Sequence, residues 1–574
     1  MPKATTVPRI PGSMRQQVKL LADLRNQFGA DVRDWKLALL EALAGRDILD
    51  PRLLLEYHEA LLFIRVYPDN REIFDLVRQE CDRFAVRVRL LRDNDPEAAA
   101  GLDEEALPET TVSYRYDHTT IVELVKWFGN ALEIQWEEYE DTEKLDALLP
   151  LLSAWPESDG LDLAPVSTEE WVELARGRDQ TGLQWLLASL DRLKVPYLAR
   201  RQLYDGLELP VAWQLGDTPA CRTHARVAGG EPFFHGEALL RKMKRFDREV
   251  KRPLERISHA SPATARSLIK TIRCALAVRH RGLYPVEYAS LDEVVVASCN
   301  RGYQLVLFGM KPEYRLPIES DYASLIVKNG YVIGYGVGAI LFDQCEIAIN
   351  IFDTWRGGEA AYIFSQYLRV FHQHFGCTRF RMERYQVGYE NDEGLKSGSF
   401  WFYRKLGFIS EAPDVRALAE KEMAKIKAKS GYRTPIATLK KLAVSDMYYT
   451  MKGSPWKPGQ VFPLTGLSLA VTKLIGERFG GDRRRALADS AEELGRTLGC
   501  RHREQWPAAE RLWFERLAPA FSLIPGLAKW ASTDKQDLVA LIRAKGQPRE
   551  SRFVRLLTAN QKIGRALERA AGQG

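Results

Sequence analysis

The stretch YASLIVKNGYVIGYGVGAILFDQCEIAINIF, residues 322–352, decides the fold class of this chain. Val, Ile and Tyr dominate it, and branched and aromatic side chains fit a pleated, half-buried surface. Asn329-Gly330 splits the first two runs, a pair suited to the positive φ angles of a tight hairpin turn. The pattern predicts adjacent antiparallel strands. Gly334, Gly336 and Gly338 alternate along the middle run, so one strand face is bare and a backbone or ligand can come close. We read this as close packing. No helix follows these glycines, so they do not form a dinucleotide-binding loop. Next in the chain, Tyr362, Phe364, Leu368 and Phe371 recur at helical spacing and predict one helix over 358–375, stopped by Gly376.

Working outward, EVVVASC (293–299) and YQLVLFGM (303–310) read as further strands, after a helix SPATARSLIKTIRCALAV with Pro262 in its first turn. Downstream, TRFRMERYQV (378–387) reads as a strand, GSFWFYRKLG (398–407) as a short helix and DMYYTM (446–451) as a last strand. Both flanks read as helical, from runs such as WKLALLEALAG, REIFDLVRQECDRF, TTIVELVKWFGNALEIQW and TGLQWLLASLDRL. The expected class is α+β, with a mixed, mostly antiparallel sheet between mainly helical flanks. The expected division is a helical domain at 1–93, an acidic linker at 94–111, a mainly helical domain with a basic connector at 112–258, the sheet-containing domain at 259–452 and a basic helical region at 453–574.

At 574 residues the chain needs several cores. Seven widely spaced cysteines give no CxxC pair and no zinc spacing, so reduced, mostly buried thiols are expected. His372 and His374 stand two apart on a helix and do not share a face, so no metal site is expected. Ser267-Leu-Ile-Lys270 matches a nucleophile pattern by letter but lacks its partner motifs. No apolar run is long enough for a bilayer, and MPKATTVPRIPGS lacks the apolar core of a leader, so no membrane contact and a cytoplasmic location are expected. The net charge of +6 is uneven. Residues 453–574 carry 21 Lys/Arg against 12 Asp/Glu, an excess suited to an acidic partner or nucleic acid.

Two short motifs carry chemistry. IFDTWRGGEAA, residues 351–361, takes a strand into a helix through a basic and small-residue turn. A helix start offers unpaired N–H groups and a dipole to an anion. FWFYRKLGF, residues 400–408, places a tyrosine on a short helix that runs into Leu-Gly-Phe. With the order helix, antiparallel strands, long helix, strand, short helix, strand, these residues resemble the GNAT acyltransferase superfamily over 259–452, about a third of the chain. The resemblance implies an N-acyltransferase that uses acetyl-CoA or another acyl-CoA and acts on an unidentified amine. It implies pyrophosphate binding by Ile351, Arg356, Gly357, Gly358, Glu359 and Ala361, with Glu359 standing where the family has its central glycine. It implies Tyr403 as the acid for the departing thiolate, and backbone N–H groups of strand 346–353 as donors to the thioester carbonyl. Lys396 stands where the family has an asparagine, and Ser399 takes a small-residue place. Glu346, Asp353 and Glu383 are the candidate bases. Two alternatives stand beside this: an inactive GNAT-fold binding or scaffold protein, and a transferase whose donor is aminoacyl-tRNA.

Overall fold

The computed structural model describes residues 10–163, 166–452 and 462–572. The leader reading rests largely on 1–9 and the basic region begins within 453–461; both stretches lie outside the described residues. The chain is α+β, with a nine-stranded sheet and a three-stranded sheet among many helices. It divides into two compact units. One comprises Met1–Leu239, Ser267–Glu287 and Asn329–Val332; the other comprises Leu240–Arg266, Tyr288–Lys328 and Ile333–Gly574.

In the first unit, helices Pro51–Val66 and Arg71–Asp82 start at Asp50 and Asn70, whose side chains accept N–H groups of the first turn. Strands β1 (Thr111–Tyr114), β2 (Leu132–Ile134) and β3 (Val211–Gln214) pair antiparallel in the order β1–β3–β2. The run read as helical over 119–136 stops at Phe128. Gly129 there adopts φ +54°, and the chain turns so that Leu132–Ile134 can pair with β3. Within 94–111 lies a short helix, Pro96–Ala100, and Leu102, Ala106 and Leu107 are buried.

The large sheet holds β4 (Arg256–His259), β5 (Ala289–Ser298), β6 (Tyr303–Met310), β7 (Ser320–Lys328), β8 (Tyr331–Leu341), β9 (Gln344–Ile351), β10 (Arg379–Met382), β11 (Ile409–Ser410) and β12 (Met447–Thr450). Their order is β11–β12–β10–β9–β8–β7–β6–β5–β4. β8 and β9 are antiparallel, whereas β9 and β10 are parallel. A parallel pair needs a crossover, and helix Ala360–Phe375 supplies it. That helix packs on the glycine-lined face of β8. A Cβ at Gly338 would lie 2.2 Å from the Phe371 ring, and one at Gly336 2.8 Å from the Tyr367 hydroxyl. β10 is shorter than the run read as a strand over 378–387, because Arg384–Val387 forms a helical turn. The Glu383 carboxylate accepts Tyr385 N–H at 2.7 Å, and Asp446 accepts Arg384 N–H at 2.9 Å.

The helices after residue 462 pack around Trp513, Phe514, Leu517, Phe553 and Leu567, with Ile318 and Phe342 in the same core. Buried Lys545 donates to Glu550 at 2.6 Å, and Glu550 also accepts the Ser320 hydroxyl at 2.7 Å. Among the described residues no helix is long and apolar enough to cross a membrane. All seven cysteines are unpaired, and six are buried.

Candidate functional site

The site is built where β9 and β10 part. Asp343, in the turn before β9, accepts Arg379 at 2.9 Å, and its carbonyl accepts Thr378 N–H at 2.8 Å, which sets β10 beside the start of β9. Pairing then runs for three residues and ends at Glu346–Arg381. On its other edge β9 stays paired with β8 as far as Ile351. Among the described residues, 347–351 therefore have no strand partner on the β10 side. The Asp446 and Glu383 contacts hold the chain after β10 in its helical turn, so it does not continue the pairing with β9.

Side-chain alternation sets the faces. Ile347 and Ile349 pair with Gly338 and Gly336, so they lie on the face covered by helix Ala360–Phe375. Glu346 and Asn350 lie on the opposite face. Arg381 donates to Glu346 at 2.7 Å and reaches Asp446 at 2.5 Å. Burial nevertheless leaves the Glu346 carboxyl above its ordinary pKa. Glu383 sits just past β10 and is one of the negative groups that act on Glu346. Asp353 is exposed beyond the far end of β9, roughly 20 Å from Glu346 at the rise of an extended strand. Glu346 and Glu383 thus lie near one another, and Asp353 lies apart from both.

Beyond β9 a 3-10 turn, Asp353–Trp355, leads through Arg356 and Gly357 to the helix start. Arg356 is half exposed, donates to Ile351 carbonyl at 3.2 Å and pairs with Asp353 at 2.9 Å and with Glu393. Gly357 has φ +92°, a conformation that suits glycine. Gly358 N–H is used by Trp355 carbonyl, and Ala361 is buried. Glu359 is the N-cap residue, yet its side chain caps nothing. It is fully buried and turned inward. Its carboxylate accepts Leu240 N–H at 2.9 Å, Arg301 at 2.5 Å and Tyr303 hydroxyl at 3.1 Å, with Lys328 3.8 Å away. Burial brings the Lys328 ammonium down to about 7, although Glu359 opposes the shift. The first-turn N–H groups of this helix thus carry no side-chain cap.

Tyr403 lies on helix Ser399–Lys405, among Phe364, Phe402 and Phe408. Burial holds its phenol protonated well above the usual range. Its hydroxyl has no hydrogen-bond partner among the described residues. Phe364 belongs to the long helix, so Tyr403 is on the helix-covered side of the sheet, and Glu346 is on the other. Ser399 bonds to Ser397 at 3.1 Å. The residues that sequence reasoning missed are Arg301, Tyr303 and Lys328. Only Lys328, a lone charge closing the apolar run SLIVK, leaves a local trace.

The chain matches no family model, no curated protein and no solved structure.

A second basic feature lies in the same unit. Arg549, Arg552 and Arg555 line a 740 Å³ concavity with His259 and Asp292. Arg552 donates to Gln547 and Arg555 to the His374 carbonyl. None of the three meets a carboxylate among the described residues. Also among the described residues, no three His, Cys, Asp or Glu side chains gather as metal ligands. His372 bonds to the Cys377 carbonyl at 2.8 Å, and buried His374 is driven down to about 3 by burial and Arg555.

Proposed function

We propose that residues 259–452 form a GNAT-type N-acyltransferase domain that moves an acyl group from an acyl-CoA to an amine. The observation that carries this reading is the edge of β9 at 347–351, followed after the turn at 353–358 by a helix start without a side-chain cap. An extended thioester arm can lie along that edge as an added strand, its carbonyl accepting a backbone N–H. Its pyrophosphate then meets the first-turn N–H groups, with exposed Arg356 at hand. The inward turn of Glu359 supports the reading, because its carboxylate is held by Arg301, the Tyr303 hydroxyl and Leu240 N–H and does not stand among those N–H groups.

The reaction needs three parts. Glu346, with Glu383 beside it, takes the proton from the attacking amine; its raised pKa makes it a better base than an ordinary surface carboxylate. The amine nitrogen bonds to the thioester carbon and the carbon–sulfur bond breaks. Tyr403, protonated at neutral pH, gives its proton to the departing thiolate. Calorimetric titration of the full chain with coenzyme A tests the reading. Saturable binding in the micromolar range, lost in Arg356→Ala, is expected; no binding overturns it.

A second reading keeps the transfer and changes the donor to aminoacyl-tRNA. The observation in its favour is the Arg549, Arg552 and Arg555 cluster, three cations without acid partners. If neither coenzyme A nor RNA binds, a binding or scaffold role is what stands.

A further inference from the structure

The first unit contains a buried charge with no ion pair among the described residues. Arg65, on helix Pro51–Val66, is 2 % exposed. Its guanidinium lies 4.0 Å over the Tyr331 ring and makes no hydrogen bond or ion pair with any described residue; Nε is buried with no acceptor. Other buried arginines of this chain are saturated. Arg369 donates to Arg252 carbonyl, Pro253 carbonyl, Asn300 and Gln366, and Arg379 is held by Asp343. A buried cation with no acceptor is costly and persists where something else supplies the counter-charge.

Arg65 lines a 560 Å³ concavity, a size typical of small-ligand sites. Two further cations line it, Arg226 and Lys270, and neither forms an ion pair with a described residue. Lys270 rests 5.1 Å from the Phe128 ring. Two acids line it as well: Asp217, whose carboxylate lies 2.8 Å from the His224 ring, and Asp82, which is exposed. Three cations thus face two acids, and the buried one of the three, Arg65, has neither acid as an ion-pair partner, an excess of positive charge that an anion fills. The space exceeds what a bare anion occupies, and Phe128 and Tyr331 line part of it.

We propose that this concavity binds a small organic phosphate, with Arg65 as the buried anchor of the phosphate and Arg226 and Lys270 closing over it. The site is independent of the acyltransferase reading and takes its evidence from other residues. Arg65 is then a residue kept for binding at the expense of stability, which sets it apart from a structural arginine.

The test is calorimetric titration of the full chain with inorganic phosphate and with phenyl phosphate at constant ionic strength, with acetate as control. Saturable binding of both phosphates is expected, phenyl phosphate the tighter, and acetate giving none. Lys270→Gln, an exposed change that leaves folding intact, is expected to weaken phosphate severalfold. Arg65→Met is expected to melt no lower than wild type without phosphate and to lose the rise in melting temperature that phosphate gives wild type. No saturable binding by wild type overturns the proposal, as does wild-type affinity in Lys270→Gln and Arg65→Met. A lower melting temperature of Arg65→Met without phosphate makes Arg65 structural and overturns its role as anchor. Equal affinity for the two phosphates overturns the organic part of the assignment.

Discussion

Glu359 carries two meanings that its letter alone cannot separate. At a helix start a carboxylate repels phosphate; buried against Arg301 and Lys328 it holds the unit together. Breaking one member of such a cluster leaves an uncompensated charge, so Glu359→Gln is expected to destabilise the protein by about 3–5 kcal/mol without improving coenzyme A affinity. Chemical denaturation and calorimetry on the same variant check both halves. Tyr403→Phe removes the proposed acid and keeps the ring, so turnover is expected to fall about 10²-fold or more with coenzyme A affinity unchanged, read from steady-state kinetics and titration. Glu293 gives a pH dependence. Burial raises its carboxyl to about 7, although Tyr322 and Ser551 donate to it. A carboxyl raised in the folded state binds its proton more tightly there than in the unfolded chain. Its contribution is therefore neutral below about pH 4.5 and increasingly destabilising as pH rises to 7, reaching on the order of 3 kcal/mol. Melting temperatures of wild type and Glu293→Gln are expected to converge at low pH, with the variant the more stable above pH 7. These roles escape sequence reasoning because Arg301, Tyr303, Lys328 and Glu359 span 58 positions and meet only when the strands fold.

At the scale of elements, the glycines of β8 were legible as a bare face, and the helix that fills it follows in the next stretch of chain. Gly338→Ala is expected to destabilise by about 1–3 kcal/mol, since its Cβ would enter the Phe371 ring and neither strand nor helix can retreat. Gly476→Ala is the control. That glycine lies inside helix Leu464–Phe479 with nothing within 4 Å, and alanine there is expected to stabilise by about 0.5–1 kcal/mol. Thermal melts of the two variants should move in opposite directions. The strands of 322–352 and the helix after them were legible because their periods, two and then 3.6, are written locally. β2 was not, because Leu132–Ile134 continues a helical pattern and only Gly129 and the pairing with β3 take it out of the helix. Nor was the early end of β10, which depends on Asp446, some 60 positions on, holding the Arg384 N–H.

For the whole molecule, the excess of basic residues after 453 was visible by counting, and the folded chain gathers three of them at one concavity. RNA is expected to bind there with steep salt dependence. Changing Arg549, Arg552 and Arg555 to Gln is expected to lower the slope of log affinity against log salt by about 2. Mobility shifts across a salt series check this, and an unchanged slope places any RNA contact elsewhere. The sequence by itself determined the α+β class, the strand and helix order from 322 to 375 and the charge asymmetry, because periodicity and composition are local properties. It also raised Arg356 and Tyr403 as candidates through two short motifs, and Glu346 through its place on a strand. Only the tertiary structure decided that, among the described residues, β9 lacks a strand partner at 347–351, that Glu359 turns inward and that Arg65 is buried without an ion pair. Each depends on which groups, distant in sequence, arrive to satisfy a charge or a backbone hydrogen bond, and no local pattern encodes the partner that is missing.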